Sequence, residues 1–107
     1  MQNLLTDLEE RAEARALYER ALRGLEKALG PEHPDTLNSV NTLAMLLSDL
    51  GERAEARALY ERALRGREKA LGPEHPDTLR TQNDLAGLHR DLGERAEARA
   101  LYERALR

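Results

Sequence analysis

Apolar and polar positions follow a helical period through most of the chain. Between Ala56 and Leu71 the apolar residues recur three or four positions apart, which predicts an amphipathic helix. The opposite side carries Arg57, Glu61 and Arg65, four residues apart, a spacing typical of a solvated face with a charge ladder. The stretch ERAEARALYERALR from this helix occurs three times, at 10–23, 52–65 and 94–107, so the chain repeats with a period of 42 residues.

A second helix precedes the repeated one in each period. Pro34 and Pro76 suit the first helical position, because proline lacks the N–H that would have no partner there. Gly51 and Gly93 supply a break between the two helices of a pair. The pattern predicts a helix A over 34–50 and 76–92 and a helix B over 10–29 and 52–71, with a short helix A over about 1–8 and a truncated helix B over 94–107.

A unit of two helices cannot bury its apolar face alone and must stack on a neighbour. The sequence therefore predicts an all-α solenoid of antiparallel helix pairs, with about two and a half repeats in one domain. Gly24 and Gly66 stand inside helix B, where glycine costs about 1 kcal/mol relative to alanine. Either a neighbouring helix approaches closely at these positions or they are underpacked. The predicted units are 1–29 with a linker to 33, 34–71, and 76–107.

The repeated unit resembles a known family. The pattern N-x-L-A-x-L-x-x-x-x-G-x-x-x-E-A-x-x-L-Y-x-R-A-L, read from Asn41 to Leu64, with the linker LGPEHPDT, is similar to tetratricopeptide-like repeats of 42 residues. Such repeats occur in kinesin light chains and in bacterial and fungal proteins that carry nucleotide-binding switch domains. The resemblance covers the whole chain, but Leu47 and His89 stand where the family usually has an aromatic residue. It implies a right-handed superhelix with the A helices on the concave side.

The resemblance also implies a function. In the family the concave groove takes extended peptides, and the first asparagine of the pattern bonds to the peptide backbone, a role that carries over to Asn41 and Asn83. The implied protein is a non-enzymatic interaction scaffold. Its implied partner is a protein or peptide, with acidic residues or a carboxylate favoured by Arg80 and Arg90.

Helical geometry places the candidate groove residues on one face. Positions i, i+3, i+7 and i+10 of helix A share a side of the helix, and they include positions at which the copies differ most. A face that diverges while the scaffold stays fixed is typical of a binding surface, and also of a tolerant solvent face, since most exposed helix faces bind nothing in particular. The candidate peptide-groove residues are Asn38, Asn41, Met45, Ser48, Arg80, Asn83 and Arg90.

Composition excludes several other functions. The 17 basic and 20 acidic residues are interleaved, which argues against a nucleic-acid interface. The longest uncharged stretch, 36–48, is too short to span a membrane, and the absence of cysteine favours a cytoplasmic protein. His33 and His75 lie one period apart in identical linkers and are too isolated to form a metal site. The sequence also contains no pattern that predicts a cofactor site or a catalytic residue.

An alternative function is self-association. The array is short and lacks polar capping repeats, which solenoids normally need. The apolar face of the last helix B could receive the first leucines of another molecule, so that the solenoid continues head to tail. Domain swapping through the GPEH linkers is a further form of the same hypothesis. The residues predicted for this contact are Leu4, Leu5, Leu8, Leu101, Tyr102, Ala105 and Leu106.

Overall fold

Five α-helices make up the part of the chain that the computed structural model describes, residues 4–91 and 95–106. The architecture is an all-α helical repeat solenoid, as the sequence predicts. None of the described helices combines the length and apolar character needed to cross a membrane. The helices are α1 (Leu4–Leu29), α2 (Pro34–Asp49), α3 (Arg53–Leu71), α4 (Pro76–Asp91) and α5 (Arg95–Leu106).

The helices of type A begin at a histidine cap that the sequence did not indicate. His33 is the N-cap of α2, and its Nδ1 accepts a hydrogen bond from the Asp35 backbone N–H at 3.1 Å. His75 Nδ1 accepts from the Asp77 N–H at the same distance before α4. A side-chain acceptor at this position satisfies one of the N–H groups that a helix start leaves without a partner. The recurring His-Pro-Asp sequence is therefore a helix-start motif.

Gly51 separates the two helices of the central pair. Its φ is +84°, a left-handed conformation that favours glycine. The Glu52 N–H bonds to the Leu47 carbonyl at 2.8 Å and the Gly51 N–H to the Ser48 carbonyl at 3.1 Å. This pair of bonds is the Schellman motif, which ends a helix and reverses the chain.

The first unit differs from the prediction of a separate short helix over about 1–8. Helix α1 is continuous over 26 residues, Leu4–Leu29, and passes through the position equivalent to the turn. Glu9 occupies that position, where the next copy has Gly51. A residue with a side chain disfavours the left-handed conformation of the turn, whereas glutamate is a good helix former. The first turn therefore does not form, and α1 begins upstream of it.

Each helix packs on its neighbours in the chain, and α2 also contacts α4. Helices α2 and α4 form one layer of the solenoid, and α1, α3 and α5 form the other. Ion pairs link the second layer across units: Arg62 meets Glu26 at 2.7 Å and Arg104 meets Glu68 at 3.3 Å. The buried core lies between the layers and includes Leu22, Val40, Leu43, Ala44, Leu47, Ala56, Tyr60, Ala63, Leu64, Leu85 and Leu88.

The two glycines inside helices of type B have different surroundings. Gly66 is buried, and a Cβ added there would lie 2.8 Å from both δ-methyl carbons of Leu37 in α2. Gly24 is exposed, and no atom lies within 4 Å of its added Cβ. Close approach of a neighbouring helix therefore explains Gly66, while Gly24 faces open space because no helix packs there in the described part of the chain.

Candidate functional site: a groove across α2 and α4

The predicted groove residues fall on one face of α2 and α4, and most of them are accessible. Asn38, Arg80, Asn83 and Arg90 are exposed, and Ser48 is half-buried. Met45 is 48 % exposed, although it is a large apolar residue. These side chains are available to a partner, because the core lies on the other side of the two helices.

One cavity of about 420 Å³ brings four of these residues together. Met45 and Ser48 line it from α2, and Asn83 and Arg90 line it from α4. We call it the groove cavity. Gly87 also lines it, at the position equivalent to Met45, so the smaller residue widens the groove at α4.

The groove cavity also has walls that sequence reasoning missed. Tyr60 from α3 and Tyr102 from α5 line it, and an aromatic ring with a hydroxyl offers both contact area and a hydrogen bond. Among the described residues, three carboxylates, Asp49, Asp84 and Asp91, line the same space as the guanidinium of Arg90. All five residues lie outside the set of candidate peptide-groove residues, so the helical spacing of that set did not point to them.

Asn41 is the exception among the predicted residues, since it is only 6 % exposed. Its Nδ2 donates to Asp84 Oδ2 at 3.3 Å, and its Oδ1 accepts from Thr81 Oγ1 at 3.2 Å. These bonds join α2 to α4 across the unit boundary. The Asn41 amide is therefore engaged within the protein, while Asn83 is exposed at the surface.

Burial changes the ionisation of two groups at the groove cavity. It raises the pKa of Asp84, although the hydrogen bond from Asn41 acts in the opposite direction. Burial also raises the pKa of the Tyr60 hydroxyl, and the nearby charges of Asp84 and Asp49 raise it further. Tyr60 is consequently a neutral hydrogen-bonding group at ordinary pH.

A second cavity, of about 230 Å³, lies at the other end of the same face. It contains the two remaining groove residues, Asn38 and Arg80, together with Arg67 from α3. We call it the Arg67 cavity. Asp35 and Asp77, in the first turns of α2 and α4, also line it.

Arg67 is 6 % exposed, which is unusual for a charged residue. Its Nη1 donates to Thr81 Oγ1 at 2.7 Å and to the Asp77 carbonyl at 3.3 Å. Burial lowers the pKa of this guanidinium, while the charge of Asp77 acts in the opposite direction. The sequence offered one signal for it, because the equivalent residue of the preceding copy is Leu25.

The polar groups of the two cavities differ from the histidine position in the core. His89 is buried at the core position that Leu47 occupies in the preceding copy. Within residues 4–91 and 95–106, no group of histidines and carboxylates has the geometry to hold a metal ion. The features at the groove are amides, tyrosines and charges of both signs, which are groups that make hydrogen bonds and ion pairs.

A family model described as tetratricopeptide repeat matches residues 3–69 and 40–107. The chain belongs to the tetratricopeptide repeat family. Repeats of this family are generally protein–protein interaction modules without enzymatic activity. No curated protein matches the chain.

Solved structures with tetratricopeptide-like repeats share this fold. A putative kinesin light chain with nearly identical repeats from Podosopora anserina is 32 % identical, with a TM-score of 0.84 over 92 % of this chain. BtubC (BKLC) from P. vanneervenii is 24 % identical, with a TM-score of 0.86 over 92 % of this chain, and supports the fold alone. The chain spans 47 % and 39 % of those two chains, respectively.

The residues predicted for self-association are only partly within the described structure. Leu101, Tyr102 and Ala105 are half-buried on α5, and Leu106 is 86 % exposed. Tyr102 lines the groove cavity. The side chains of Leu4, Leu5 and Leu8 lie outside the described residues.

Proposed function

We propose that this tetratricopeptide repeat array binds an extended peptide segment of a partner protein along the concave face of α2 and α4. The observation that supports this most directly is the groove cavity, which unites Met45, Ser48, Asn83 and Arg90. Its volume of about 420 Å³ is within the range of about 300–1,000 Å³ that ligand sites occupy.

The charges at the two ends of the groove indicate which side chains of a partner each end favours. Among the described residues, Asp49, Asp84 and Asp91 outnumber Arg90 at the groove cavity, and Arg90 lies 3.8 Å from Asp91. This end of the groove therefore favours a cationic side chain. The preference for an acidic group belongs at the opposite end, near Arg80.

Asn83 is expected to bond to the peptide backbone, because its amide offers both a donor and an acceptor. We expect Asn83→Ala to weaken binding of a lysine-containing peptide about fivefold, the effect of one hydrogen bond. The probe is a fluorescein-labelled Gly/Ser peptide with one central lysine, followed by fluorescence anisotropy. A version with serine in place of lysine measures the contribution of charge.

Arg65→Ala is the matched control, because Arg65 is exposed on α3 and lines neither cavity. It should bind the lysine peptide as the parent does. Equal binding by the parent and by Asn83→Ala, or equal binding of the lysine and serine peptides, would show that the groove cavity is not the peptide site.

Self-association is a second candidate function, and the different exposure of equivalent leucines in the three copies favours it. Leu106 is 86 % exposed, whereas its equivalents Leu22 and Leu64 are 6 % and 8 % exposed against the following helix of type A. Tyr18 and Leu17 on α1 are also exposed apolar residues. Faces of this kind are covered by neighbouring helices inside the array and are exposed on α1 and α5 in the described structure.

If copies associate through α5, Leu106→Lys should lower the average mass measured by sedimentation across a concentration series. Leu71→Lys is the control, since Leu71 is a partly exposed leucine on α3 rather than α5. A parent chain that remains monomeric at every concentration, or a mass that both variants lower equally, would exclude this interface.

A further inference from the structure

Helices α1 and α5 share a sequence but differ in what covers them. The 12 residues of α5 are identical to residues 11–22 of α1. Leu101 and Tyr102 of α5 are half-buried, and this helix packs on α4. The equivalent Leu17 and Tyr18 of α1 are 64 % and 39 % exposed, and α1 packs only on α2 in the described structure. Helix α1 therefore has an uncovered copy of the face that α5 presents to α4.

A helix of type A covers the same face inside the array. Ala63 and Gly66 of α3 are buried, and an added Cβ at Gly66 would lie 2.8 Å from the δ-methyl carbons of Leu37 in α2. Their equivalents on α1, Ala21 and Gly24, are exposed, and no atom lies within 4 Å of an added Cβ at Gly24. The partner that fits α1 is therefore a helix with a leucine at the position of Leu37.

Helix α4 offers such a leucine and is only partly covered. Leu79 is the equivalent of Leu37 and is half-buried, whereas Leu37 is 2 % exposed. Leu79 and Gln82 line a cavity of about 370 Å³. Gln82 is 1 % exposed, and its Oε1 has no hydrogen-bond partner among the described residues. Helix α5, over Arg95–Leu106, contains no equivalent of Gly66 that would cover Leu79.

We propose that α1 of a second copy replaces α5 on α4, so that the repeat array continues from one molecule into the next. Because residues 11–22 are identical to α5, the exchange preserves the contacts with α4, and Gly24 of the second copy supplies the glycine that fits over Leu79. Exchange of an identical element between copies costs little in contact energy. The inference rests on self-association, the second candidate function, and specifies a helix exchange in place of contact with α5.

The exchange also brings α2 of the second copy onto α4 of the first. In the described structure the Asn41 amide of α2 bonds to two residues of α4. The equivalent junction between copies pairs Asn83 of α4 with Ser39 and Thr42 of the second copy. Asn83 is exposed, and Ser39 and Thr42 are half-buried. An amide with a donor and an acceptor thus meets two hydroxyl groups, which can serve as either partner.

Concentration sets the balance between α5 and its competitor. Helix α5 belongs to the same chain as α4, which favours the closed molecule in dilute solution. Helix α1 is longer, Leu4–Leu29, and can replace the ion pair between Arg104 and Glu68, because the equivalent Arg20 is exposed. Association therefore increases with protein concentration and extends head to tail, since each molecule keeps one α1 and one α4 for the next contact.

Gly24→Gln tests the exchange at a residue that the single molecule leaves uncovered. Glutamine is a better helix former than glycine, so the variant stays folded, but its side chain would overlap Leu79 of the other copy. We expect the association constant from a sedimentation concentration series to fall at least about tenfold. Arg23→Gln is the matched control and should associate as the parent does, because the equivalent Arg65 is exposed within the array.

The outcomes separate the exchange from self-association in general. A parent chain that is monomeric at every concentration would overturn both. A parent chain that associates, with Gly24→Gln associating equally well, would overturn the exchange alone.

Leu101→Lys distinguishes the exchange from contact with α5. It weakens α5 on α4 and leaves Leu17 of α1 intact, so the exchange predicts an association constant raised about tenfold. Adding Gly24→Gln should remove this rise. Leu106→Lys should have no effect on the exchange, since Leu106 is already 86 % exposed. A fall in association with both lysine variants, or a rise that persists with Gly24→Gln, would contradict the exchange.

A disulfide provides a direct test, because the chain contains no cysteine. Gly24 and Leu79 lie on helices that make no contact within the described molecule, so a bond between them joins two copies. In the central pair an added Cβ at Gly66 lies 3.4 Å from Cγ of Leu37, within reach of a disulfide. Mild oxidation of a Gly24→Cys chain mixed with a Leu79→Cys chain should give a dimer of one of each, identified by mass spectrometry. An equal yield from Arg23→Cys mixed with Leu79→Cys would overturn the exchange.

Discussion

Replacing Gly66 with leucine is expected to destabilise the fold by about 3 kcal/mol, at the upper end of the usual cost of overpacking a core. The new side chain would begin 2.8 Å from the δ-methyl carbons of Leu37, which is 2 % exposed and cannot move into solvent. Urea unfolding followed by circular dichroism measures this loss as a lower midpoint.

Gly24→Leu is the matched control, because Gly24 occupies the same position of α1 in an almost identical sequence. Nothing lies within 4 Å of a Cβ at Gly24, so leucine should stabilise helix α1 by about 1 kcal/mol through helix propensity. The measurement is repeated at several protein concentrations, because the new leucine is exposed. Changes of the same sign in both variants would show that the contact of Leu37 with Gly66 does not determine the result.

Gly51→Glu is the second change with a large expected effect, and it copies Glu9 of the first unit into the second. A non-glycine residue at φ +84° costs about 1–2 kcal/mol, and the loss of the turn also weakens the packing of α2 on α3. We therefore expect the free energy of unfolding to fall by at least about 2 kcal/mol, as measured by urea unfolding.

Gly51→Asn is the control for this turn, because asparagine tolerates the left-handed conformation better than other residues with a side chain. It should lose clearly less stability than Gly51→Glu. If the two variants were equally stable, the conformation of the turn would not be what separates α2 from α3, and another reason would be needed for the continuous helix at Glu9.

The periodic sequence was sufficient to predict the architecture. Helical spacing, Pro34 and Gly51 together gave α2 and α3 to within about a residue at each end, since local backbone preferences determine these bounds. The same rules could also have predicted that the first unit begins with one continuous helix instead of two. Glu9 is a visible departure from Gly51, and its consequence, one helix from Leu4 to Leu29, follows from helix propensity alone.

The candidate site was only partly predictable. Exposure of Asn83 and Arg90 on α4 follows from helical geometry, because one helix determines it. The burial of Asn41 and the approach of Arg67 to Thr81 depend on how two helices of different units meet. The sequence of a single unit contains no information on how closely two units approach, and the comparison of copies showed only that positions 67 and 81 vary.

The bonds of Asn41 have a mechanical consequence. Helices α2 and α4 form one layer of the solenoid, and the Asn41 amide joins them through Thr81 and Asp84. In a solenoid whose units contact only their neighbours, the angle between successive units sets the curvature of the whole. This small polar cluster therefore resists changes in the angle between successive units. A ligand that lies across both helices would resist the same bending.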